Sequence, residues 1–142
     1  MYGFRIEYTE DGGKITLQPR EAGLAGLYKL TDCQMVEVAG VGTLGGVKVA
    51  LLCDEEGLLK ANPTNNLTAC DLLAEMSNSA PAYLNGGGLA GTCSLVADDN
   101  NLRGLTADEV AKITKALDKG GYPYGNSTFN MLGIEVNVIR AF

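Results

Sequence analysis

The sequence has no histidine and no tryptophan, and its basic residues are fewer than its acidic ones. The missing histidine excludes Ser-His-Asp and Cys-His catalysis, an imidazole general base and histidine-ligated zinc. Lysine and arginine together number 11 against 17 aspartate and glutamate residues, which gives a net charge of -6. Direct nucleic-acid binding needs a surplus of basic residues to neutralise phosphates, so this charge argues against it and favours a basic partner.

Long apolar runs and closely spaced cysteines are also missing. Apolar stretches such as residues 47–53 are far too short to span a bilayer, and the first residues show no secretory signal pattern, so we expect a cytoplasmic protein that contacts no membrane. The cysteines Cys33, Cys53, Cys70 and Cys93 never fall within one turn of each other, which matches no zinc or redox motif. We expect four buried thiols, with no metal site and no cofactor.

Length and composition indicate one globular domain. The chain has 142 residues, of which 46% are hydrophobic and 20% charged. A domain of this size buries enough apolar surface to fold without disulfides or structural metals. No internal repeat or long linker divides the sequence. We therefore predict a single domain over residues 1–142.

Local patterns predict both strands and helices. Alternating or continuous apolar residues indicate strands at residues 4–9, 14–17, 35–39, 47–53, 89–97 and 132–139. The 47–53 run is apolar on both faces, which is typical of a central strand, whereas 89–97 has the pattern of a half-buried one. Three helices are indicated: one starting at Pro19, one capped by Asn65 or Asn66, and one with a capping box of Thr106 and Glu109. We predict the α+β class, with a mostly antiparallel sheet and two or three packed helices.

Residues 40–45, Gly-Val-Gly-Thr-Leu-Gly, spell a dinucleotide-binding fingerprint. A strand follows them, so the helix N-terminus that would hold a pyrophosphate is missing, and we interpret them as a hairpin loop. One alternative stays open, in which glycine-rich loops bind a small ligand, such as a nucleotide signal, through backbone amides. The candidate ligand-binding residues under this alternative are Gly42, Gly45, Gly46, Gly86, Gly87 and Gly88.

The acidic triplet Asp54-Glu55-Glu56 follows the buried 47–53 run and precedes Gly57. One interpretation is a hairpin corner, because aspartate and glycine suit tight turns and the charges keep the turn hydrated. The other is a binding site, in which the three carboxylates contact a basic partner protein. We take Asp54, Glu55 and Glu56 as the candidate partner-binding residues and assign no catalytic residue.

The stretch that contains the triplet resembles a known family. The likeness is carried by Val-Ala-Leu-Leu-Cys-Asp-Glu-Glu-Gly-Leu-Leu at 49–59, Asn-Pro-Thr-Asn at 62–65 and Ala-Gly-Thr at 90–92. These segments are similar to domain of unknown function 3846, and the likeness covers roughly residues 21–113. The resemblance implies a mixed α+β fold and the setting of small proteins of gut bacteria, phages, plasmids and conjugative elements. It implies no particular activity.

Charge, the missing catalytic groups and the family setting together suggest a function. We expect a non-enzymatic accessory protein of a phage or mobile element that binds a host or element-encoded protein through an acidic surface. A small-ligand-binding protein is the alternative. We also expect that an exposed edge strand, such as the first or the last, could pair with a second copy of the chain.

Overall fold

The computed structural model describes residues 1–9, 12–56, 66–77, 88–119, 124–131 and 134–139. These residues form seven strands and three helices, in a chain order that begins and ends with strands. The strands are β1 (Tyr2–Thr9), β2 (Gly12–Pro19), β3 (Val36–Leu44), β4 (Val47–Asp54), β5 (Cys93–Ala97), β6 (Tyr124–Met131) and β7 (Ile134–Ile139). The helices are α1 (Gly23–Thr31), α2 (Leu67–Ser77) and α3 (Ala107–Lys119).

The strands form one sheet in the order β3-β4-β5-β1-β2-β7-β6. Every pairing between neighbouring strands is antiparallel. This sheet and its helices confirm the predicted α+β class. Among the described strands the edges are β3 and β6. The expectation of an edge at the first or last predicted strand is therefore wrong, because β5 pairs with β1 and β7 lies between β2 and β6.

Helices cover both faces of the sheet. On one face, α2 and α3 pack over a core that includes Val49 and Leu51 of β4. On the other face, α1 packs over Ala50 and Leu52 of the same strand. Side chains alternate between faces along a strand, so a strand covered on both sides must be apolar throughout. The prediction that residues 47–53 form an interior strand is confirmed, since β4 lies between β3 and β5.

Several predicted boundaries are wrong. The strand predicted at residues 35–39 continues to Leu44. Pro19 is the last residue of β2, opposite Tyr2, and α1 begins only at Gly23. The next residue, Arg20, donates its backbone N–H to the Met1 carbonyl at 2.9 Å, so the nitrogen of Pro19 faces away from β1 and the pairing loses no donor. The predicted half-buried strand at 89–97 begins at Cys93, and all five of its residues are buried because helices cover both faces. The hairpin partner β6 has no counterpart among the predicted strands.

Helix α3 begins with the predicted capping box. The Glu109 backbone N–H donates to the Thr106 hydroxyl at 3.2 Å, and the Thr106 backbone N–H donates to Glu109 Oε1 at 2.9 Å. Arg103 adds two charged hydrogen bonds to the same carboxylate, at 2.8 and 3.1 Å. The hydrogen bonds from Arg103 are the main reason that the pKa of Glu109 is lowered to about 2. The capping box is therefore tied to the turn that precedes it.

Helix α2 is capped by Asn66, one of the two asparagines predicted for this position; Asn65 lies outside the described residues. The Asn66 side-chain oxygen accepts a hydrogen bond from the Ala69 backbone N–H at 3.0 Å. Its amide nitrogen donates to the carbonyls of Ile6 and Gly91, both at 2.9 Å. One buried side chain thus caps the helix and holds it against β1 and the chain before β5.

Helix α1 is tied to the sheet at its C-terminal end. Arg5 of β1 donates from Nε to the Leu30 carbonyl at 2.9 Å and from Nη2 to the Lys29 carbonyl at 2.7 Å. A cation at this position satisfies terminal carbonyls and complements the helix dipole. The residue after the helix, Asp32, caps it with a φ of 51°, which lies in the left-handed region. This end of α1 forms one wall of the site described below.

Candidate functional site

The predicted partner-binding residues Asp54, Glu55 and Glu56 form the turn at the end of β4, which we call the acidic corner. Asp54 is only 8% exposed, and its Oδ1 accepts a hydrogen bond from the Glu56 backbone N–H at 2.9 Å. Glu55 and Glu56 are exposed. Asp54 therefore shapes a turn, while the two glutamates present charge to solvent. The hairpin-corner interpretation is wrong in one respect: the next described element is α2, and the strands that pair with β4 are β3 and β5.

The acidic corner borders a cleft of about 410 Å³. The lining residues come from the end of α1 and from the acidic corner: Asp32, Cys33, Gln34, Asp54 and Glu56. Within the described ranges, no group of three acidic, cysteine or histidine side chains is arranged to hold a metal ion. Three carboxylates around a cleft of this size suit the cationic end of a lysine or arginine side chain.

The sequence pattern gave no sign of Asp32 as part of this site. Asp32 is brought to the cleft by the left-handed turn at the end of α1, while Asp54 arrives from the end of β4. The two residues lie far apart in sequence and meet because α1 packs across the β4 face of the sheet. A helix C-terminal turn could be predicted from the sequence, but its position over β4 depends on the tertiary fold.

An apolar strand edge adjoins the acidic corner. The Glu55 backbone N–H donates to the Met35 carbonyl at 3.0 Å, so the corner contacts the residue just before β3. Met35, Val38 and Val41 are exposed by 43%, 49% and 50%. We call these three side chains, with the outer side of β3, the β3 edge. Acidic and apolar groups therefore form one continuous surface.

Three of the four cysteines lie in the buried core. Cys53 and Cys93 lie opposite each other on β4 and β5, and both are buried, as is Cys70. Burial is the main reason that the pKa of the Cys53 thiol is raised to about 12, and burial also raises the pKa of Cys93 and Cys70. Thiols in this state are poor nucleophiles. The expectation of four buried thiols is wrong for Cys33, which is half-buried because it lines the cleft.

The glycines of the fingerprint segment serve the β3–β4 hairpin and its packing. Residues 40–44 lie within β3, and Gly45 and Gly46 form the turn with φ values of 58° and 81°. A Cβ at Gly42 would clash with the carbonyl of Met76 in α2, and one at Gly45 would lie 2.5 Å from the Lys112 carbonyl in α3. The predicted hairpin between the two strands is confirmed, but the predicted loop at 40–45 is wrong for residues 40–44, which continue β3 in register with β4.

The glycine-loop alternative stays a prediction. Gly86 and Gly87 lie outside the described residues, and Gly88 is half-buried before β5. The structure therefore does not describe the two candidate loops together.

A second cavity, of about 710 Å³, lies between the start of α1 and the turn after β5. The exposed apolar side chains of Met1 and Leu24 form part of its lining. Arg20 crosses it, donating to the Leu102 carbonyl at 3.0 Å and the Gly23 carbonyl at 2.9 Å, and its burial lowers the pKa of the guanidinium. No sequence motif marks this cavity, because its walls come from distant segments.

The fold and the sites define an α+β domain with an acidic corner. The chain belongs to the family described as Domain of unknown function (DUF3846), whose model matches residues 6–118. The match extends beyond the predicted 21–113 likeness at both ends, from within β1 to near the end of α3. No curated protein and no solved structure matches the chain. None of the described helices has the length and apolarity needed to cross a membrane.

Proposed function

We propose that this protein is a non-enzymatic accessory protein of a phage or mobile element, and that it binds a host or element-encoded protein through the acidic corner. The observation that carries the proposal is the cleft in which Asp32, Asp54 and Glu56 converge beside the exposed Glu55. A non-catalytic role is supported by the absence of histidine and by the raised pKa values of the buried thiols. The mobile-element setting is supported by the family resemblance alone.

Binding at this site would follow from charge. A lysine or arginine side chain of the partner enters the cleft and forms charge-assisted hydrogen bonds with the carboxylates. The exposed glutamates add a negative field that speeds the encounter with a basic surface. Because exposed charges are screened by salt, the affinity falls as ionic strength rises. The net charge of -6 also attracts a basic partner, at longer range.

The test is capture of a partner by purified, tagged protein, with two matched double variants. Glu55→Ser with Glu56→Ser removes two exposed charges of the acidic corner and leaves the Asp54 turn intact. Glu75→Ser with Asp98→Ser removes two exposed carboxylates, one on α2 and one just after β5, where the Asp98 amide bonds to Lys48 near the start of β4. We expect the first variant to lose the captured protein and the second to keep it. Equal capture by both variants would contradict the proposal.

Small-ligand binding is a second candidate function, favoured by the cavity beside Arg20. Its volume of about 710 Å³ falls within the range of roughly 300–1,000 Å³ that is usual for small-molecule sites. Native mass spectrometry tests this candidate, because a bound molecule adds mass that is lost on denaturation. We expect Leu24→Trp, at a position 57% exposed, to fill the cavity and abolish the adduct. A bare protein mass in both forms would argue against it.

A further inference from the structure

The outer side of β3 is an edge of the sheet formed by the described strands. β3 stands at one end of the strand order, and no described strand pairs with its outer side. Exposed edges are usually blunted by lysine, by proline or by a bulge. β3 has nine residues with neither lysine nor proline, and its charged residue is Glu37. The bulge between Val38 and Gly40 leaves Gly40–Leu44 in unbroken register with β4.

The exposed apolar side chains of β3 lie on the face that α1 only partly covers. Val38 pairs with Leu52 and Val41 pairs with Ala50. Directly paired residues share a face, and Leu52 and Ala50 belong to the core beneath α1. Val38 and Val41 are nevertheless about half exposed, at 49% and 50%. The apolar face of the sheet therefore continues past α1 to the β3 edge.

Charge indicates which occupant suits this edge. Val36 at the start of β3 pairs with Asp54, and the Glu55 amide is bonded to Met35, so carboxylates flank the first half of the strand. Glu37 is also exposed there. A second copy of β3 would bring another glutamate and no cation. An extended segment with basic residues at one end and apolar residues along its length complements the edge in both charge and hydrophobicity.

We propose that β3 accepts such a basic and apolar extended segment of the partner protein as an added strand. The main chain of the segment pairs with the outer side of β3, and its apolar side chains contact Val38 and Val41. Its lysine or arginine residues reach Glu37 and the acidic corner. Strand addition of this kind gives affinity through main-chain hydrogen bonds and specificity through alternate side chains. The inference rests on the proposed function and names the partner element that the site takes.

The experiment uses a fluorescein-labelled peptide about ten residues long, which at about 3.4 Å per residue spans β3. The peptide alternates valine and threonine and carries three lysines at one end; a second version carries them at the other end. A matched peptide has the same side chains but N-methyl groups on alternate residues, which removes main-chain donors. A fourth peptide has glutamate in place of lysine. Binding is measured by fluorescence anisotropy on the full chain.

We expect one of the two lysine peptides to bind, and the N-methylated and glutamate peptides to bind at least roughly tenfold more weakly. Val41→Lys should weaken binding of the lysine peptide by a similar factor. Val41→Thr keeps the preference for a strand and should retain most of the affinity. Thermal unfolding checks that both variants are folded. If Val41→Lys does not fold, Val38→Lys and Val38→Thr replace this pair, because Val38 is equally exposed.

Different outcomes separate this inference from the proposed function. Strand addition is wrong if N-methylation of the peptide and Val41→Lys in the protein both leave the affinity unchanged. If Glu55→Ser with Glu56→Ser loses binding in the same experiment, the acidic corner still functions. If the Glu55 and Glu56 substitutions change nothing, the proposed function fails as well. The absence of any peptide binding at millimolar concentration overturns strand addition. If the chain forms a dimer that dissociates on Val41→Lys, the β3 edge binds a second copy of the chain, and the proposal of a partner segment is overturned.

Discussion

The backbone amide of Glu55 donates a hydrogen bond to the carbonyl of Met35 at 3.0 Å. This contact joins the turn after β4 to the residue before β3, so the acidic corner and the β3 edge cannot move independently without breaking it. Met35 is 43% exposed, which places an apolar side chain directly beside the exposed glutamates. The surface that we assign to partner binding is therefore one structural unit with a charged part and an apolar part.

Asn66 should be one of the most sensitive polar residues of the fold. Asn66→Ala removes the α2 cap and leaves the carbonyls of Ile6 and Gly91 without their side-chain donor. Loss of a cap costs about 0.5–2 kcal/mol and a buried unsatisfied group about 1–3 kcal/mol, so we expect a total of about 2–4 kcal/mol. Urea denaturation measures the free energy of unfolding. A cost as small as that of Glu75→Ala, at an exposed position on α2, would contradict this role.

Glu109 should give the protein a stability that depends on acid pH. Its pKa in the folded protein is lowered to about 2 from an ordinary value of 4.5. Because the folded pKa is depressed, the stabilisation is fully present above pH 4.5 and is lost as the pH falls towards 2. Glu109→Gln should cost about 1 kcal/mol at neutral pH, after allowance for solvent screening. The difference in the free energy of unfolding between wild type and Glu109→Gln, measured by urea denaturation, should shrink as the pH falls from 4.5 to 2. A difference that stays constant would contradict the role of the ionised Glu109 carboxylate.

Substitutions at the glycines of the hairpin test whether these residues are glycine because helices pack closely against them. A Cβ at Gly42 meets the backbone of Met76, which cannot move aside, whereas a Cβ at Gly40 meets the flexible end of Leu73 at 2.5 Å. We expect Gly42→Ala to destabilise the protein by about 1–3 kcal/mol and Gly40→Ala by less. Thermal unfolding of the two variants checks this order. If Gly42→Ala leaves stability unchanged, close helix packing does not explain this glycine.

Thr31 of α1 and Ser94 of β5 form a buried hydroxyl pair with an oxygen-oxygen distance of 2.7 Å. Thr31→Val removes one partner and leaves the Ser94 hydroxyl buried alone, at a cost of about 1–3 kcal/mol. Thr31→Val with Ser94→Ala removes both groups and should cost less than the sum of the single changes. A double-mutant cycle by chemical denaturation measures the coupling. Additive costs would mean that the pair contributes no interaction of its own.

Local signals predicted what local interactions determine. The box of Thr106 and Glu109 and the cap at Asn66 depend on residues close in sequence, and the structure confirms both. The apolar run of β4 is also a pattern of neighbouring residues, and it predicted an interior strand correctly. Strand order depends on long-range pairing, and the return of β5 against β1 made the expected edge strands wrong. Pro19 was misplaced because a strand end and a helix start tolerate proline equally well.

The candidate site was predicted only in part. Asp54, Glu55 and Glu56 form a compact turn, as the acidic triplet before Gly57 indicates. The contribution of Asp32 and the exposed valines of β3 could not be predicted, because both depend on how α1 lies across the sheet. Hydrophobic pattern alone does not show that α1 stops short of Val38 and Val41. The missing information was tertiary, and the sequence contains no short motif that supplies it.

The central claim is that the acidic corner binds a basic partner protein. The most direct measurement is the dissociation constant of the captured partner for wild type, for Glu55→Ser with Glu56→Ser, and for Glu75→Ser with Asp98→Ser, each at low and at high salt. We predict weaker binding at high salt for wild type, a loss of affinity and of most of the salt dependence in the first variant, and wild-type behaviour in the second. Equal affinity of all three proteins at both salt concentrations would contradict the claim.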